Sequence, residues 1–265
     1  MLFALPYPMI DPIIFSVGPF AIRWYALAYI FGLMGAIWYM KAMTRQPPEI
    51  ARAIDVDDFL VWATLGVVLG GRLGYVLFYK PGFYFDHPAA ILQVWQGGMS
   101  FHGGFLGVVV AAWLFSRKRG ISTMGFADMI ACAAPIGLFL GRIANFVNGE
   151  LIGRVSDAPW AMVFPHGGPE LRHPSQIYEA LLEGLVLFLI LYFLRQNEAI
   201  RRRSGLLTGA FFIGYGVARS IVELFRQPDY HIGFLLGGTT MGQWLSVPLI
   251  LFGIWLIIRA KPQQA

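Results

Sequence analysis

The chain has little charge and only one cysteine. Of its 265 residues 57% are hydrophobic, and the 13% that are charged are about half the usual share in soluble domains. This composition excludes a typical soluble domain and predicts a membrane protein. Cys132 has no partner cysteine for an intrachain disulfide. It lies in an apolar run, which favours a small buried residue over a nucleophile.

Familiar catalytic motifs are also missing. The sequence contains no His-Glu-x-x-His motif, no Cys/His cluster, no Gly-x-Ser-x-Gly elbow and no Walker loop. We therefore expect no metal site, no cofactor and no nucleophile supplied by the protein. The first basic residue is Arg23, so no cleavable signal peptide is expected. The excess of 20 basic over 15 acidic residues indicates cytoplasmic loops and contact with anionic lipid, not nucleic acid.

Apolar runs of membrane length predict an all-α integral membrane protein with about seven transmembrane helices in a single membrane domain, residues 1–265. The predicted spans cover residues 19–40, 57–79, 101–116, 125–145, 176–194, 206–224 and 241–259. Loop 80–100 combines proline, glycine and aromatic residues and is expected at the level of the lipid headgroups. Loop 146–175 is the longest on the outer side and is expected to form a small extracytoplasmic cap.

The basic residues predict the orientation of the chain. The loops on one side of the membrane hold twelve of them and the opposite loops hold four. Because basic loops favour the cytoplasm, we expect the N-terminus outside and the C-terminus in the cytoplasm. The remaining four fall within the outer halves of the predicted spans: Arg23, Arg72, Arg142 and Arg219.

Charged groups at membrane depth are costly unless they are paired, and they indicate a functional site. We expect the four arginines to share an anionic ligand or to form a network with Glu179, Glu183 and Glu223. The alternative is that an arginine near a helix end extends to the headgroups without a chemical role.

Two polar segments mark the outer ends of spans three and four. Residues 97–104 contain four glycines and His102, whose ordinary pKa near 6.5 allows it to accept a proton at neutral pH. A histidine hydrogen-bonded for structure is an equal alternative. In the fourth span Arg142 and Asn145 share a helix face. Gly149 is expected to end this helix, and Glu150 to turn back.

Spans five and six carry two more polar groups. Tyr215, Arg219, Glu223 and Arg226 are spaced by four, four and three residues, which places them on one helix face. An Arg219–Glu223 ion pair that only joins helices is the alternative to a role in catalysis. Ser175 is predicted to be the N-cap of the fifth span.

Residues 141–153, Gly-Arg-Ile-Ala-Asn-Phe-Val-Asn-Gly-Glu-Leu-Ile-Gly, resemble the signature of the bacterial prolipoprotein diacylglyceryl transferases. Further segments resemble the same family in the same order: 22–25, 99–104, 173–176, 225–229 and 241–243. The resemblance covers nearly the whole chain, and we see no departure within the thirteen-residue signature.

The resemblance implies a reaction. The family moves the sn-1,2-diacylglyceryl group of phosphatidylglycerol onto the thiol of the lipobox cysteine in preprolipoprotein signal peptides and releases glycerol phosphate. This first step of lipoprotein maturation takes place near the outer face of the bacterial cytoplasmic (inner) membrane. The residues agree with it, because the nucleophile arrives on the substrate and arginine suits a phosphate leaving group.

The resemblance also marks the positions expected to form the site: Tyr25, His102, Arg142, Asn145, Glu150, Gly153, Arg219 and Glu223. Our hypothesis is that Arg142 and Arg219 bind the phosphate and that His102 accepts the thiol proton. Tyr25, Asn145 and Tyr215 would position the headgroup or the thiol. Glu150 and Glu223 would orient the arginines.

Alternatives remain open at this stage. In one variant of the mechanism an arginine acts on the thiol and His102 is structural. A different class of function is a binder or transporter of an anionic lipid or solute at the outer face. A third is another lipid-modifying enzyme, such as an acyltransferase, which would normally need a metal or a protein nucleophile.

Overall fold

The computed structural model describes residues 5–18, 20–228 and 233–262, and most of them are helical. The chain divides into two compact units, a larger one formed by Met1–Met40 with Asp128–Ala265 and a smaller one formed by Lys41–Ala127. In the described chain the strands form only two short two-stranded pairs. The predicted helical membrane-protein class is confirmed.

The elements follow one another in this order: β1 (Ile13–Val17), β2 (Phe20–Arg23), α1 (Trp24–Met43), α2 (Ala53–Phe78), α3 (Pro81–Asp86), α4 (Phe101–Arg119), α5 (Thr123–Asn148), α6 (Ser175–Glu179), a π-helical segment (Ala180–Val186), α7 (Leu187–Gln196), α8 (Glu198–Arg201), β3 (Arg203–Ser204), α9 (Leu206–Val222), α10 (Met241–Arg259) and β4 (Lys261–Pro262). Short 3₁₀ turns cover Pro88–Leu92, Val94–Gln96 and Leu236–Gly238.

The first span begins later than predicted. An antiparallel hairpin of β1 and β2 precedes it, with Ile13 paired to Arg23, and the helix starts only at Trp24. Residue 19, the predicted start, lies outside the described residues. Arg23 is the last residue of β2 and is exposed. The prediction that Arg23 lies within a span is therefore wrong, because backbone pairing in the hairpin overrides the apolar pattern.

A buried aspartate joins α5 to α9 within the larger unit. Asp128 accepts hydrogen bonds at 2.7 Å from the backbone nitrogen of Gly205 and from the nitrogen and hydroxyl of Thr208. Gly205 is the N-cap residue of α9 and Thr208 lies in its first turn, where the backbone N–H groups lack partners within the helix. Asp128 thus acts as an N-cap supplied by another helix and holds the start of α9 in place.

The fifth predicted span is a continuous helical stretch, Ser175–Gln196, with a π-helical segment inside it. Ser175 is the first residue of α6. Its hydroxyl donates to the Leu151 carbonyl at 3.0 Å. The predicted N-cap role is wrong, because this hydroxyl bonds to a distant loop and does not accept from its own helix.

In the smaller unit, α2 and α4 pack closely along glycines. A β-carbon at Gly66 would lie 2.6 Å from the carbonyl oxygen of Gly107, so only glycine allows this approach. Phe59, Phe115 and Phe126 contact one another through their rings and are buried. This unit therefore combines backbone contact between helices with an aromatic core.

The segment between α2 and α4 is short helix and 3₁₀ turns. Several of its large apolar side chains are exposed, with Phe85, Leu92 and Trp95 exposed by 88%, 77% and 76%. Aromatic and apolar side chains in this setting are typical of the membrane–water interface. The interfacial placement expected from the sequence stays a prediction.

Five helices are long and apolar enough to cross a membrane: α1, α2, α5, the stretch Ser175–Gln196, and α10. Only 17% to 33% of the residues in their apolar windows are buried inside the protein. So much exposed apolar surface is unfavourable in water and is typical of helices that contact lipid. The protein is a multi-pass membrane protein. Helices also occupy the other two predicted spans, α4 and the shorter apolar α9.

Candidate active site

The helix α5 carries the first group of site residues and ends as expected from the sequence. Its last residue is Asn148, and Gly149 follows with φ of 67°. The nitrogen of Glu150 donates to the Asn145 carbonyl at 3.0 Å, which closes the turn. A left-handed glycine at this point is a common helix stop. The reversal brings the Glu150 side chain back beside the last turn of α5.

Glu150 contacts asparagines. Its carboxylate accepts hydrogen bonds from Nδ2 of Asn145 at 3.4 Å and from Nδ2 of Asn148 at 3.1 Å. This differs from the expectation that Glu150 orients the arginines. The Tyr25 hydroxyl lies 3.3 Å from that of Tyr29 and within electrostatic reach of Asn145 and Glu150. Four predicted site features (Tyr25, Asn145, Glu150 and the turn itself) therefore occupy one small region.

The arginines lie in a compact ionic cluster, which we call the arginine–glutamate network. Its members come from α5, the stretch Ser175–Gln196, and the end of α9: Arg142, Glu179, Glu183, Arg219, Glu223 and Arg226. Three guanidinium groups thus face three carboxylates. In such a network buried groups can stay ionised, since each has a partner of opposite sign.

Glu179 is at the centre of the network. Its Oε2 lies 3.0 Å from Nε of Arg142, and its Oε1 lies 3.0 Å from Nη1 of Arg219. Nε of Arg226 is 3.9 Å from the same Oε1. Glu183 contacts two of these arginines at longer range, 3.4 Å from Arg142 and 3.5 Å from Arg219. Both glutamates are fully buried, so solvent screens these attractions little.

Arg219 and Glu223 form the predicted pair on α9. Nη2 of Arg219 contacts Oε1 of Glu223, four residues along the chain. Arg226 contacts the same oxygen at 3.7 Å. Glu223 therefore contacts two arginines, and the expectation that it orients them stays a prediction. The fourth member of the predicted stripe, Tyr215, lies one turn before Arg219 and stacks on Phe211 with ring centroids 6.0 Å apart.

The backbone around Gly153 holds the ends of these helices together. The Gly153 nitrogen donates to the His173 carbonyl at 3.1 Å, and the Arg154 nitrogen donates to the Phe225 carbonyl at 2.8 Å. A β-carbon at Gly153 would collide with the His173 carbonyl oxygen and lie 2.9 Å from that of Phe225. Gly153 is needed for this close approach, which fixes the chain after α9 against the loop after α5.

His102 and Arg72 belong to the smaller unit. His102 lies in the first turn of α4 and is exposed. The centroid of its ring lies 5.7 Å from that of the Phe101 ring. Arg72 is 5% exposed, and its guanidinium donates to backbone carbonyls of the segment before α4, including Ile91 at 2.9 Å and Ala90 at 2.6 Å. The four intramembrane arginines predicted to act together are thus divided: Arg142 and Arg219 share the network, whereas Arg72 binds backbone.

The sequence matches a family model along most of its length. Residues 12–259 match the model described as prolipoprotein diacylglyceryl transferase. The chain belongs to this family. A relative in Paramagnetospirillum magneticum is 62% identical over all of this chain and 99% of its own length. Others in Rhodospirillum rubrum and Gluconacetobacter diazotrophicus are 58% and 56% identical, over 99% and 100% of this chain and 97% and 95% of theirs. All three carry the name phosphatidylglycerol–prolipoprotein diacylglyceryl transferase.

Family membership makes this chain an enzyme of the transferase class. It also confirms the resemblance drawn from the signature at residues 141–153. One quoted segment, residues 225–229, is covered only in part, because Asp229 lies outside the described residues.

Two supports of the network were not predicted as site residues. Nη2 of Arg154 donates to the Glu223 carbonyl at 2.7 Å, and its Nε donates to the Arg226 carbonyl at 2.9 Å. Nε2 of Gln176 donates to the Glu150 carbonyl. Arginine in a polar loop carries no signal of such a role. Gln176 is fully buried despite its polarity, but burial is visible only in the fold.

Proposed function

We propose that this enzyme transfers the sn-1,2-diacylglyceryl group of phosphatidylglycerol to the thiol of a lipobox cysteine in preprolipoprotein signal peptides. The products are a thioether and glycerol phosphate, and the step is the first in lipoprotein maturation. In the proposed topology seven helices cross the bacterial cytoplasmic (inner) membrane, with the N-terminus outside and the C-terminus inside. Loop 146–175 forms the extracytoplasmic cap beside the site.

One observation supports this proposal above the others: two arginines, one near the end of α5 and one near the end of α9, contact the same two buried carboxylates. Arg142 uses Nε and Nη2 to contact Glu179 and Glu183. Within the described residues its Nη1 contacts no carboxylate, and the side chain keeps 18% of its surface exposed. Arg219 keeps 12%. Donors that remain at an ordered guanidinium suit phosphate, which takes two parallel hydrogen bonds from arginine.

In the proposed reaction negative charge develops on the phosphate of the leaving group. The cysteine sulfur attacks the diacylglyceryl carbon, and the electron pair of the breaking carbon–oxygen bond moves to the phosphate oxygen. The leaving glycerol phosphate therefore gains one negative charge. Arg142 and Arg219 stabilise that charge as it develops, and they act in surroundings where charges interact more strongly than in water.

The thiol must lose its proton during the attack. A free cysteine has a pKa of about 8.5, so most of it is protonated at neutral pH. In our proposal His102 accepts this proton, directly or through a water molecule. Tyr25, Asn145 and Tyr215 position the headgroup or the thiol, and Gly153 and Glu150 shape the loop that carries them.

The reaction is tested with purified protein in detergent, phosphatidylglycerol and a lipobox peptide, with glycerol phosphate release as the readout. We expect release that depends on the peptide thiol and is lost when its cysteine is replaced by serine. Arg142→Ala should remove activity. Arg202→Ala, which removes an exposed arginine paired with Glu198, should not. No release by folded wild-type protein would refute the proposed function.

The role of His102 needs a separate experiment. His102→Gln should reduce turnover strongly and leave binding of phosphatidylglycerol nearly unchanged, since glutamine cannot accept the thiol proton. His87→Gln is a matched control, because His87 is also exposed and contacts a neighbouring aromatic ring, that of Phe83. Equal losses of turnover and lipid binding in His102→Gln would contradict a role as base.

A further inference from the structure

Glu179 combines three properties within the arginine–glutamate network. It contacts all three arginines, it is fully buried, and each of its two oxygens faces a different guanidinium at 3.0 Å. We propose that Glu179 is a positioning residue, which holds Arg142 and Arg219 at a fixed separation so that both bind the same phosphate. This inference rests on the proposed transfer reaction.

The two oxygens of Glu179 contact two different arginines. Oε2 of Glu179 lies 3.0 Å from Nε of Arg142 in an ion pair without hydrogen-bond geometry, and Oε1 accepts a hydrogen bond from Nη1 of Arg219 at 3.0 Å. The two guanidinium groups are therefore linked through one rigid carboxylate. Arg142 and Arg219 come from different helices, α5 and α9, and long side chains otherwise have many rotamers. The carboxylate removes that freedom before substrate binds.

Glu179 is itself held in place by the anchoring of α6. It is the last residue of α6, and the start of α6 is anchored to the loop that follows α5. Ser175 donates to the Leu151 carbonyl at 3.0 Å, and Gln176 donates to the Glu150 carbonyl. The carboxylate is thus placed by a short, hydrogen-bonded helix with its position set relative to α5. A group that is held firmly can transmit its geometry to the arginines that it contacts.

Glu183 differs from Glu179 in its helical segment and in its distances to the arginines. The π-helical segment Ala180–Val186 begins directly after Glu179 and contains Glu183. Glu183 accepts hydrogen bonds from the same two arginines at longer distances, 3.4 Å from Arg142 and 3.5 Å from Arg219. Glu183 is therefore a matched comparison with the same burial and the same charge.

The expected kinetic signature follows from charge and geometry. Glu179→Gln keeps the shape of the side chain but removes the negative charge that attracts both guanidinium groups. Misplacement of a catalytic group by about 1 Å lowers rates by on the order of 100-fold. The loss of an anion near a phosphate site does not weaken binding of phosphatidylglycerol. We expect kcat to fall by about 100-fold without a rise in KM.

The experiment compares kcat and KM for phosphatidylglycerol in the wild type, Glu179→Gln, Glu183→Gln and Glu198→Gln. Glu183→Gln should lower kcat by about 10-fold at most, since its contacts are longer. Glu198→Gln removes an exposed ion pair away from the network and should match the wild type. A second kcat comparison combines Glu179→Gln with Arg142→Lys. Because Glu179 also contacts Arg219, the double variant should be slower than Arg142→Lys alone, but by a smaller factor than Glu179→Gln slows the wild type.

Several outcomes would overturn the inference while the wild type stays active. These are a kcat for Glu179→Gln within about 3-fold of the wild type, equal effects of Glu179→Gln and Glu183→Gln, or fully additive effects with Arg142→Lys. Should Glu179→Gln fail to fold, Glu179→Asp keeps the charge but shortens the reach. It is expected to fold with reduced kcat, and wild-type kcat in this variant would count against the inference. Inactive wild-type protein would instead overturn the proposed function.

Discussion

Replacing Arg72 by alanine tests whether this arginine supports the fold or binds the substrate. The Arg72 guanidinium donates to five backbone carbonyls, those of Ala90, Ile91, Gln93, Gly97 and Gly98. It also lies 5.2 Å from the centroid of the Tyr84 ring. Arg72→Ala removes all of these contacts at once, so we expect the segment before α4 to lose its main support.

The expected loss of stability in Arg72→Ala follows from the strength of these hydrogen bonds. A hydrogen bond to a charged donor contributes about 1.5–3 kcal/mol net. The segment 90–98 is mostly exposed or half-buried, so water replaces several of the lost bonds. We therefore expect a total loss of about 3 kcal/mol, well below the sum of five bonds. For domains of about 150–250 residues this corresponds to a fall in Tm of roughly 6–12 °C.

The assay is thermal unfolding in detergent, together with KM for phosphatidylglycerol. Arg117→Ala is the control, because Arg117 is exposed and contacts only the ring of Trp113 among the described residues, at 5.5 Å. Its Tm should stay near that of the wild type. An unchanged Tm in Arg72→Ala with a strongly raised KM would refute the reasoning. Arg72 would then be a phosphate ligand, as its place in the predicted spans had indicated.

Three further predictions follow from single positions. Gly153→Ala should lower both Tm and turnover, because its β-carbon collides with the His173 carbonyl, whereas Gly82→Ala has open space and should be neutral. Burial lowers the pKa of His173 below its usual value, so the unfolded chain binds the proton more tightly. Stability should therefore decrease as pH falls below about 6.5, and His173→Gln should show a smaller decrease in Tm between neutral and acidic buffer. Asp128→Ala should cost about 2 kcal/mol through loss of the cap on α9, and a Tm unchanged from the wild type would contradict that role.

The membrane-helix pattern was predictable from the sequence because it depends on local composition. Apolar runs of about 20 residues can only be satisfied as helices in lipid. Each of the seven predicted spans contains a helix, and five are confirmed as long and apolar enough to cross the membrane. The errors occur at helix ends, where the hairpin before Trp24 and the anchoring of Ser175 depend on distant backbone partners.

The candidate site was predictable in its residue types and only partly in its contacts. Arginine and glutamate at membrane depth predict that they are paired, since lipid offers them no other partner. The spacing of Arg219 and Glu223 predicts their contact on one helix. Which carboxylate joins Arg142 to Arg219 could not be predicted, because these residues lie on different helices and nothing local relates them.

The sequence by itself determined the family and the membrane-helix character, and it predicted an anion-binding site. Only the tertiary structure decided that Arg72 binds backbone while Arg142 and Arg219 share Glu179. The physical reason is that hydropathy and helical spacing act over a few neighbouring residues. The partner of a buried charge is chosen by helix packing, which brings together residues as far apart in the chain as Arg142 and Arg219.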